Sequence, residues 1–396
     1  MNKISPSSLP PRVGRLKAGM AKQDVDVIIS FKPENSFYFT GFNPIIYSHP
    51  VIAILTRDHD PIMLVHALRD DHGRASAWVP DIRLYGVWST KVTMGPNWQD
   101  ALASILGDLG VAAKTVGIEE EFVSIQRLGQ LRKALPDAKF TDVSHLIDHC
   151  RLIKDPDEIA QARIAAKIAD LGMDTAVETL AAGGTERDVA VASMHAMNRL
   201  WAENYPDVEV CDFGSLEGGV QNGLWTWVLS GPRMFFNCDN PTQRKPQRGE
   251  AVSVLIWTIA NGIHAENERT VAMGPLPEVN RRALDAILEI REEVDAIIRP
   301  GTPYRDLFGK TRECLKKRGY GANIPGRIGH GIGLGAHEHS SLDANSSLVL
   351  EPGMIFTFEP NIRVPGVCAT QISDTVLMTE TGREYLTRSA GGYLEV

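Results

Sequence analysis

Apolar positions along the first 150 residues come in short runs separated by mixed stretches. Val25, Val27, Ile28 and Ile29 predict a largely buried strand, broken at Pro33-Glu34-Asn35. Phe37-Tyr38-Phe39, Pro50 to Leu55, Pro61 to Val65 and Thr115 to Glu119 predict further strands, with a helix over roughly Trp98 to Leu109 before the last. Strands interleaved with helices point to an α/β domain over residues 1–150.

The pattern changes at Arg151-Leu152-Ile153-Lys154-Asp155-Pro156. Asp155 suits a helix N-cap, with Pro156 at the first helical position and Asp157 and Glu158 in the first turn. Ile159, Ala162, Ala166, Ala169, Met173, Ala176, Val177 and Leu180 follow at helical spacing until Gly183-Gly184 stops the run. Thr185 with Asp188 three residues on predicts a second capped helix, ending near Glu203. A third is predicted over about Glu278 to Ile298, and a fourth from around Tyr304. Extended segments lie between them at Trp225 to Leu229, Ala251 to Ile259, His264 to Met273, Met354 to Ile362 and Ile372 to Met378. Long helices alternating with grouped strands predict an α+β domain over residues 151–396.

Composition narrows the function classes. Of 396 residues, 43% are hydrophobic and 23% charged, an ordinary globular mixture that excludes a disordered or collagenous chain. The most apolar stretch, Ala251 to Trp257, is far short of the roughly 20 residues of a membrane helix. Met1 to Lys22 holds no apolar core of a secretory signal. The five cysteines show neither a CxxC pair nor a disulfide framework, so a cytoplasmic protein without membrane association is expected. Net charge is -8 and no basic stripe is interleaved with aromatics, so nucleic acid is not an expected partner. A small-molecule substrate is.

Four segments carry candidate chemistry. In His264-Ala265-Glu266-Asn267-Glu268-Arg269-Thr270, strand alternation puts His264, Glu266 and Glu268 on one face, where burial is expensive without a partner. A solvated polar face is the plainer alternative. Gly329 to Gly335 holds four glycines, and His330, His337 and His339 cluster there out of 11 histidines in the chain. That suits either a metal site or a tight loop with hydrogen-bonded imidazoles. Glu359 stands among apolar neighbours in Phe356-Thr357-Phe358-Glu359, and Ser373-Asp374 interrupts another apolar run.

Taken in order, these segments resemble the creatinase, prolidase and aminopeptidase P group. The anchors are "RLIKDPDEI", "SGP" at Ser230-Gly231-Pro232, "GIHAENERT", "GHGIGLGAHE", "LEPGMIFTFEP" and "SDTVLMTETG". The resemblance implies a pita-bread catalytic domain preceded by a smaller creatinase-N-terminal-like α/β domain. It also implies, for metal-dependent members, two divalent ions on Asp, Asp, His, Glu and Glu. Here those positions hold Leu255, Glu266, His330, Glu359 and Ser373. Leucine cannot coordinate and serine is a poor stand-in for a bridging carboxylate, so no metal and no other cofactor is expected.

Trp225-Thr226-Trp227, Ser230-Gly231, Arg244-Lys245 and Gly249 resemble metal-independent creatinase. The resemblance implies a guanidinium held by Glu268 and Glu359, with Trp227 nearby, and catalytic histidines at His330 and His337. The position of the acid/base histidine holds Cys238, and the two carboxylate-binding arginines are replaced by His49 and Ser341. Creatine is therefore not the expected substrate. The expectation is a metal-independent hydrolase of a C–N bond in a small cationic, amidine- or guanidine-like, or cyclic amide compound. His330, His337, Glu266 and Cys238 are the catalytic candidates. Relatives complete the pocket from a partner's small domain, so Tyr47 and His49 imply a homodimer. The alternatives are an Xaa-Pro dipeptidase or aminopeptidase with a degenerate metal site, and a non-catalytic binding module.

Overall fold

The computed structural model describes residues 9–214, 222–390 and 393–396. They form two compact units, one of residues 9–151 with 212–214, the other of the remainder. In the first, β1 (Val27–Ser30), β2 (Ile52–Thr56), β3 (Ile62–His66), β4 (Asp81–Tyr85), β5 (Thr115–Ile118) and β6 (Lys139–Asp142) make a mixed sheet ordered β4-β3-β2-β1-β5-β6. Helices α1 (Pro11–Lys22), α2 (Pro33–Thr40), α3 (Asp70–Ser76), α4 (Trp98–Asp108), α5 (Ile125–Ala134) and α6 (Ser144–Leu152) complete it. The apolar face of α4, with Ala101, Leu102 and Ile105, packs on Val27, Ile29, Ile54 and Leu64.

Phe37-Tyr38-Phe39 is not a strand but the body of α2. Pro33 sits at its first helical turn and Gly41, at φ 72°, closes it in the left-handed region. The turn entering α2 is tied by the buried carboxylate of Glu119, which accepts from the Ser30 hydroxyl, the Phe31 and Lys32 amides and the Asn35 side chain. A helix start supported by a carboxylate from β5's far end leaves little local trace. Among the described residues, no helix is long and apolar enough to cross a membrane.

The second unit opens with α7 (Pro156–Ala181) and α8 (Glu186–Asn204). Each begins with the reciprocal capping box its sequence predicts, Asp155 with Glu158 and Thr185 with Asp188. Next come β7 (Trp225–Ser230), β8 (Ala251–Ala260), β9 (Ile263–Ala272), α9 (Glu278–Asp295) and α10 (Tyr304–Lys317). The chain ends with β10 (Ile355–Phe358), β11 (Arg363–Val364), β12 (Cys368–Ala369), β13 (Ser373–Met378), β14 (Arg383–Tyr385) and β15 (Tyr393–Glu395). The main sheet runs β10-β13-β9-β8-β7, with β14 beside β13 and β15 beside β9. Ile287, Ile290 and Val294 of α9 bury against Phe356, Phe358 and Val376. This is the expected α+β arrangement.

Two features fix the register of the sheet. Between β8 and β9 the turn residues Asn261 and Gly262 both have positive φ, 44° and 85°, as a tight two-residue hairpin requires. On one face, Asp374 of β13 takes Arg269 of β9 on one oxygen and Arg291 of α9 on the other, both at 2.6 Å. Arg269 also donates to the Glu268 and Ser373 carbonyls, and Arg291 to those of Phe358 and Ile372. All three side chains are at most 10% exposed. Asp374→Ala would leave two guanidinium groups buried without their acid. It is expected to lower the unfolding free energy by about 3–5 kcal/mol, measured by urea denaturation.

Candidate active site

The face of the sheet opposite the Asp374 cluster carries the chemistry. Alternation on β9 puts His264, Glu266 and Glu268 there, only 6%, 1% and 3% exposed, so the solvated-face alternative does not hold. Strand pairing sets their neighbours. Trp227, Leu255, Glu268 and Ser373 form one row across β7, β8, β9 and β13, and Trp225, Trp257 and Glu266 form the next. Glu268 thus stands between the leucine and the serine that occupy the two missing ligand positions.

The glycine-rich loop brings in the imidazoles. A side chain at Gly329 would place its Cβ 2.0 Å from the Thr357 carbonyl oxygen, so only glycine lets this loop lie against β10. The Glu359 amide donates to the Ile328 carbonyl, and the His330 amide donates to the Thr357 hydroxyl. His330 and Glu359 are thereby set side by side. His330 Nδ1 lies 3.0 Å from the Gly331 carbonyl, which makes it the protonated nitrogen. Nε2 then faces Glu266 at 3.6 Å and Glu359 at 3.9 Å. His337 lies over His330, ring centroids 4.2 Å apart, and edge-on to Trp257, which in turn meets Trp227.

Charge is unevenly satisfied. Burial works against the Glu266 carboxylate, but adjacent His330 outweighs it and holds the pKa below the ordinary value. Burial opposes the His330 imidazolium too, yet Glu266 and Glu359 together raise its pKa. Glu268, whose carboxylate accepts from Gln371 Nε2 at 2.6 Å, is pushed well up by burial and by the charges of Glu266 and Glu359. Burial and Glu266 raise Glu359 to about 7. His337 is lowered by partial burial and by His330. The Cys238 thiol is exposed, and partial desolvation plus the three glutamates raise its pKa, which works against a thiolate. Glu266 Oε1, His330 Nε2, Ser373 Oγ and Trp257 Nε1 are buried without hydrogen-bond partners.

A cleft of about 700 Å3 opens beside Glu359 and is lined also by Asn237, Arg327, Ser341, Arg363 and Gln371. Of the residues singled out from sequence, Glu266, Glu268, His330, His337 and Glu359 come together, with Trp227 in the same sheet row. Tyr47 and His49 belong to the first unit, where Tyr47 packs in an apolar cluster and His49 stacks on His66 at 4.0 Å. Gln371, Trp257 and Arg363 were not anticipated. Alternation on β8 reaches Trp257, whereas Arg363 opens the two-residue strand β11 and Gln371 lies in an irregular segment, neither with a period to read.

The residues do not fit a dinuclear metal cage, because Leu255 offers no donor and Ser373 only a neutral hydroxyl. Glu266, His330 and Glu359 each keep one ligand atom within 4.8 Å of the others, compatible in spacing with a single ion.

Residues 160–380 match metallopeptidase family M24, and residues 12–153 match the creatinase/prolidase N-terminal domain. The chain belongs to metallopeptidase family M24, with a small α/β domain ahead of a pita-bread catalytic domain. It is 26% identical to an uncharacterized peptidase of Staphylococcus aureus (strain bovine RF122 / ET3-1), over 95% of this chain and 98% of that one. Among solved structures it resembles X-Pro aminopeptidase from Thermotoga maritima, with TM-score 0.78 and 23% identity over 96% of this chain and 100% of that one. It also resembles Xaa-Pro dipeptidase from Bacillus anthracis, with TM-score 0.81 and 22% identity over 98% and 99%.

A carboxyl group with a raised pKa contributes stability at low pH that is lost as pH rises through its folded value. For Glu359 that window runs from about 4.5 to about 7. On EDTA-treated protein, Glu359→Gln is therefore expected to match the parent near pH 5. Near pH 8 it should gain on the order of 3 kcal/mol at most, read from paired denaturation curves.

Proposed function

We propose that this M24 member is a metal-independent hydrolase of a C–N bond in a small cationic, amidine- or guanidine-like, or cyclic amide compound. One observation carries the reading: the row Leu255–Glu268–Ser373, in which two metal-ligand positions have lost their carboxylates and a new one stands between them. Together with Glu266 and Glu359 it leaves three buried acids beside His330 and His337, with the exposed Arg327 3.8 Å from Glu359, and that excess suits a cationic ligand. A planar amidinium suits it, because its N–H groups pair in parallel with carboxylate oxygens.

In this reading Glu268 and Glu359 grip the amidinium, and Trp227 with Trp257 walls the site. Water attacks the electron-poor carbon. His330, oriented by its bond to the Gly331 carbonyl and by Glu266, takes the water proton through Nε2 and returns it to the departing nitrogen, so that the C–N bond breaks as the C–O bond forms. His337 stacks on His330 and supports the transfer. Attack is assigned to water rather than Cys238, since the acidic surroundings disfavour the thiolate.

A second reading has its own support. The compact Glu266, His330 and Glu359 set suits a single ion, and the structural neighbours named above are Xaa-Pro peptidases. Such an ion would polarise a peptide carbonyl and its bound water.

Glu268→Gln separates these readings. The amidine reading expects kcat/KM to fall about 30- to 1,000-fold, a loss of about 2–4 kcal/mol, with Tm unchanged or raised. Unfolding without a specific kinetic defect would sink it. So would near-stoichiometric metal in the purified protein together with chelator-sensitive turnover of Xaa-Pro dipeptides.

A homodimer is proposed on the resemblance alone, which assigns Tyr47 and His49 to a partner's pocket. Sedimentation at assay concentration should show a dimer, and a fully active monomer would refute it.

A further inference from the structure

The cleft beside Glu359 also carries basic groups. Arg363 opens β11, is half-buried, and lines the cleft together with Arg327. Among the described residues its guanidinium makes one hydrogen bond, to a neutral acceptor, the Phe235 carbonyl, at 3.0 Å. No carboxylate of the described residues lies within ion-pair distance of it. Arg269 and Arg291, on the other face of the sheet, by contrast share Asp374. A half-buried guanidinium without an acid is costly unless something anionic meets it. Arg327 is exposed, and its nearest acid is Glu359, with Nε to Oε1 at 3.8 Å, within ion-pair distance but longer than a hydrogen bond.

The lining also offers amides and two hydroxyls, Asn237, Asn361, Ser341 and Thr370 among them, beside apolar residues such as Ile324. Such amides and hydroxyls hydrogen-bond an anion without adding charge. The cleft thus carries both signs of charge, with Glu359 and Arg327 3.8 Å apart on its lining, Gln371 leading to Glu268, and Arg363 without an acid of its own. At about 700 Å3 it has room for a ligand spanning both poles.

We propose that the substrate is a zwitterion: its cationic C–N centre faces Glu268 and Glu359, and a carboxylate at its other end is held by Arg363, assisted by Arg327. This rests on the amidine reading for its cationic pole, while the anionic pole stands on Arg363 by itself. It assigns carboxylate recognition to positions other than 49 and 341, where the resemblance had placed arginines that this chain lacks. Arg363 is on this view a specificity residue that leaves the chemistry of bond cleavage to the acid cluster.

The test is calorimetric binding of 3-guanidinopropionate, propylguanidine and propionate to the full chain. The first should bind at least tenfold more tightly than the second, the gain expected for a charge-assisted hydrogen bond to a carboxylate. Arg363→Gln should bring that ratio close to one while changing propylguanidine affinity less than threefold. Arg363→Lys, which keeps the charge, should restore part of the ratio and serves if the glutamine variant does not fold. Equal binding of the two guanidines by the parent protein overturns the proposal, as does a ratio that neither variant alters. If no guanidine binds, the cationic-pole reading fails separately, and propionate then decides. Saturable propionate binding weakened in Arg363→Gln upholds the anionic pole, and its absence refutes it.

Discussion

The second unit depends on one buried ionic cluster, Asp374 with Arg269 and Arg291. It joins β9, β13 and α9 on one side of the sheet, and each arginine spends its remaining donors on backbone carbonyls. Two cations against one acid leave a surplus of positive charge close behind the strands. The other side of the same strands carries Glu266, Glu268 and Glu359. Burying acids in a low-dielectric layer is less costly with opposite charge nearby. Arg269 and Arg291 accordingly help offset the burial of Glu268 and Glu359. The scaffold and the candidate site are thus electrostatically one object, although no side chain of the first cluster forms an ion pair with the second.

That coupling explains why the acid face can be so poor in partners of its own. Glu268 has one side-chain donor, Gln371, and Glu266 keeps an oxygen with none. A face arranged purely for stability would satisfy such groups or replace them by apolar ones. The Leu255 position shows that an apolar residue is accommodated in the same row, so the neighbouring acids are not demanded by packing. Buried groups left short of partners are where a ligand gains the most by supplying them.

Much of this was legible in the sequence wherever a local rule operates. Asp155-Pro156-Asp157-Glu158 and Thr185 with Asp188 announce helix starts because the cap and its partner lie three residues apart. The faces of β8 and β9 follow from alternation and from the Asn261–Gly262 turn. The failures share a cause. The helix holding Phe37, Tyr38 and Phe39 is supported by Glu119, more than 80 residues away along the chain. Strands β4 and β6 are short and partly polar, so no apolar run marks them. Gln371 and Arg327 reach the cleft from irregular segments and Arg363 from the two-residue β11, where side-chain direction is set by tertiary packing. Sequence reading placed the acids and imidazoles and was blind to what stands opposite them.

The row across β8, β9 and β13 also constrains re-engineering. Carboxylates introduced at 255 and 373 would stand on either side of Glu268 in direct cross-strand register. Like charges directly opposite one another are destabilising. In the metal-free protein that repulsion would go unrelieved, so a two-metal cage on this sheet calls for a change at position 268 together with its neighbours.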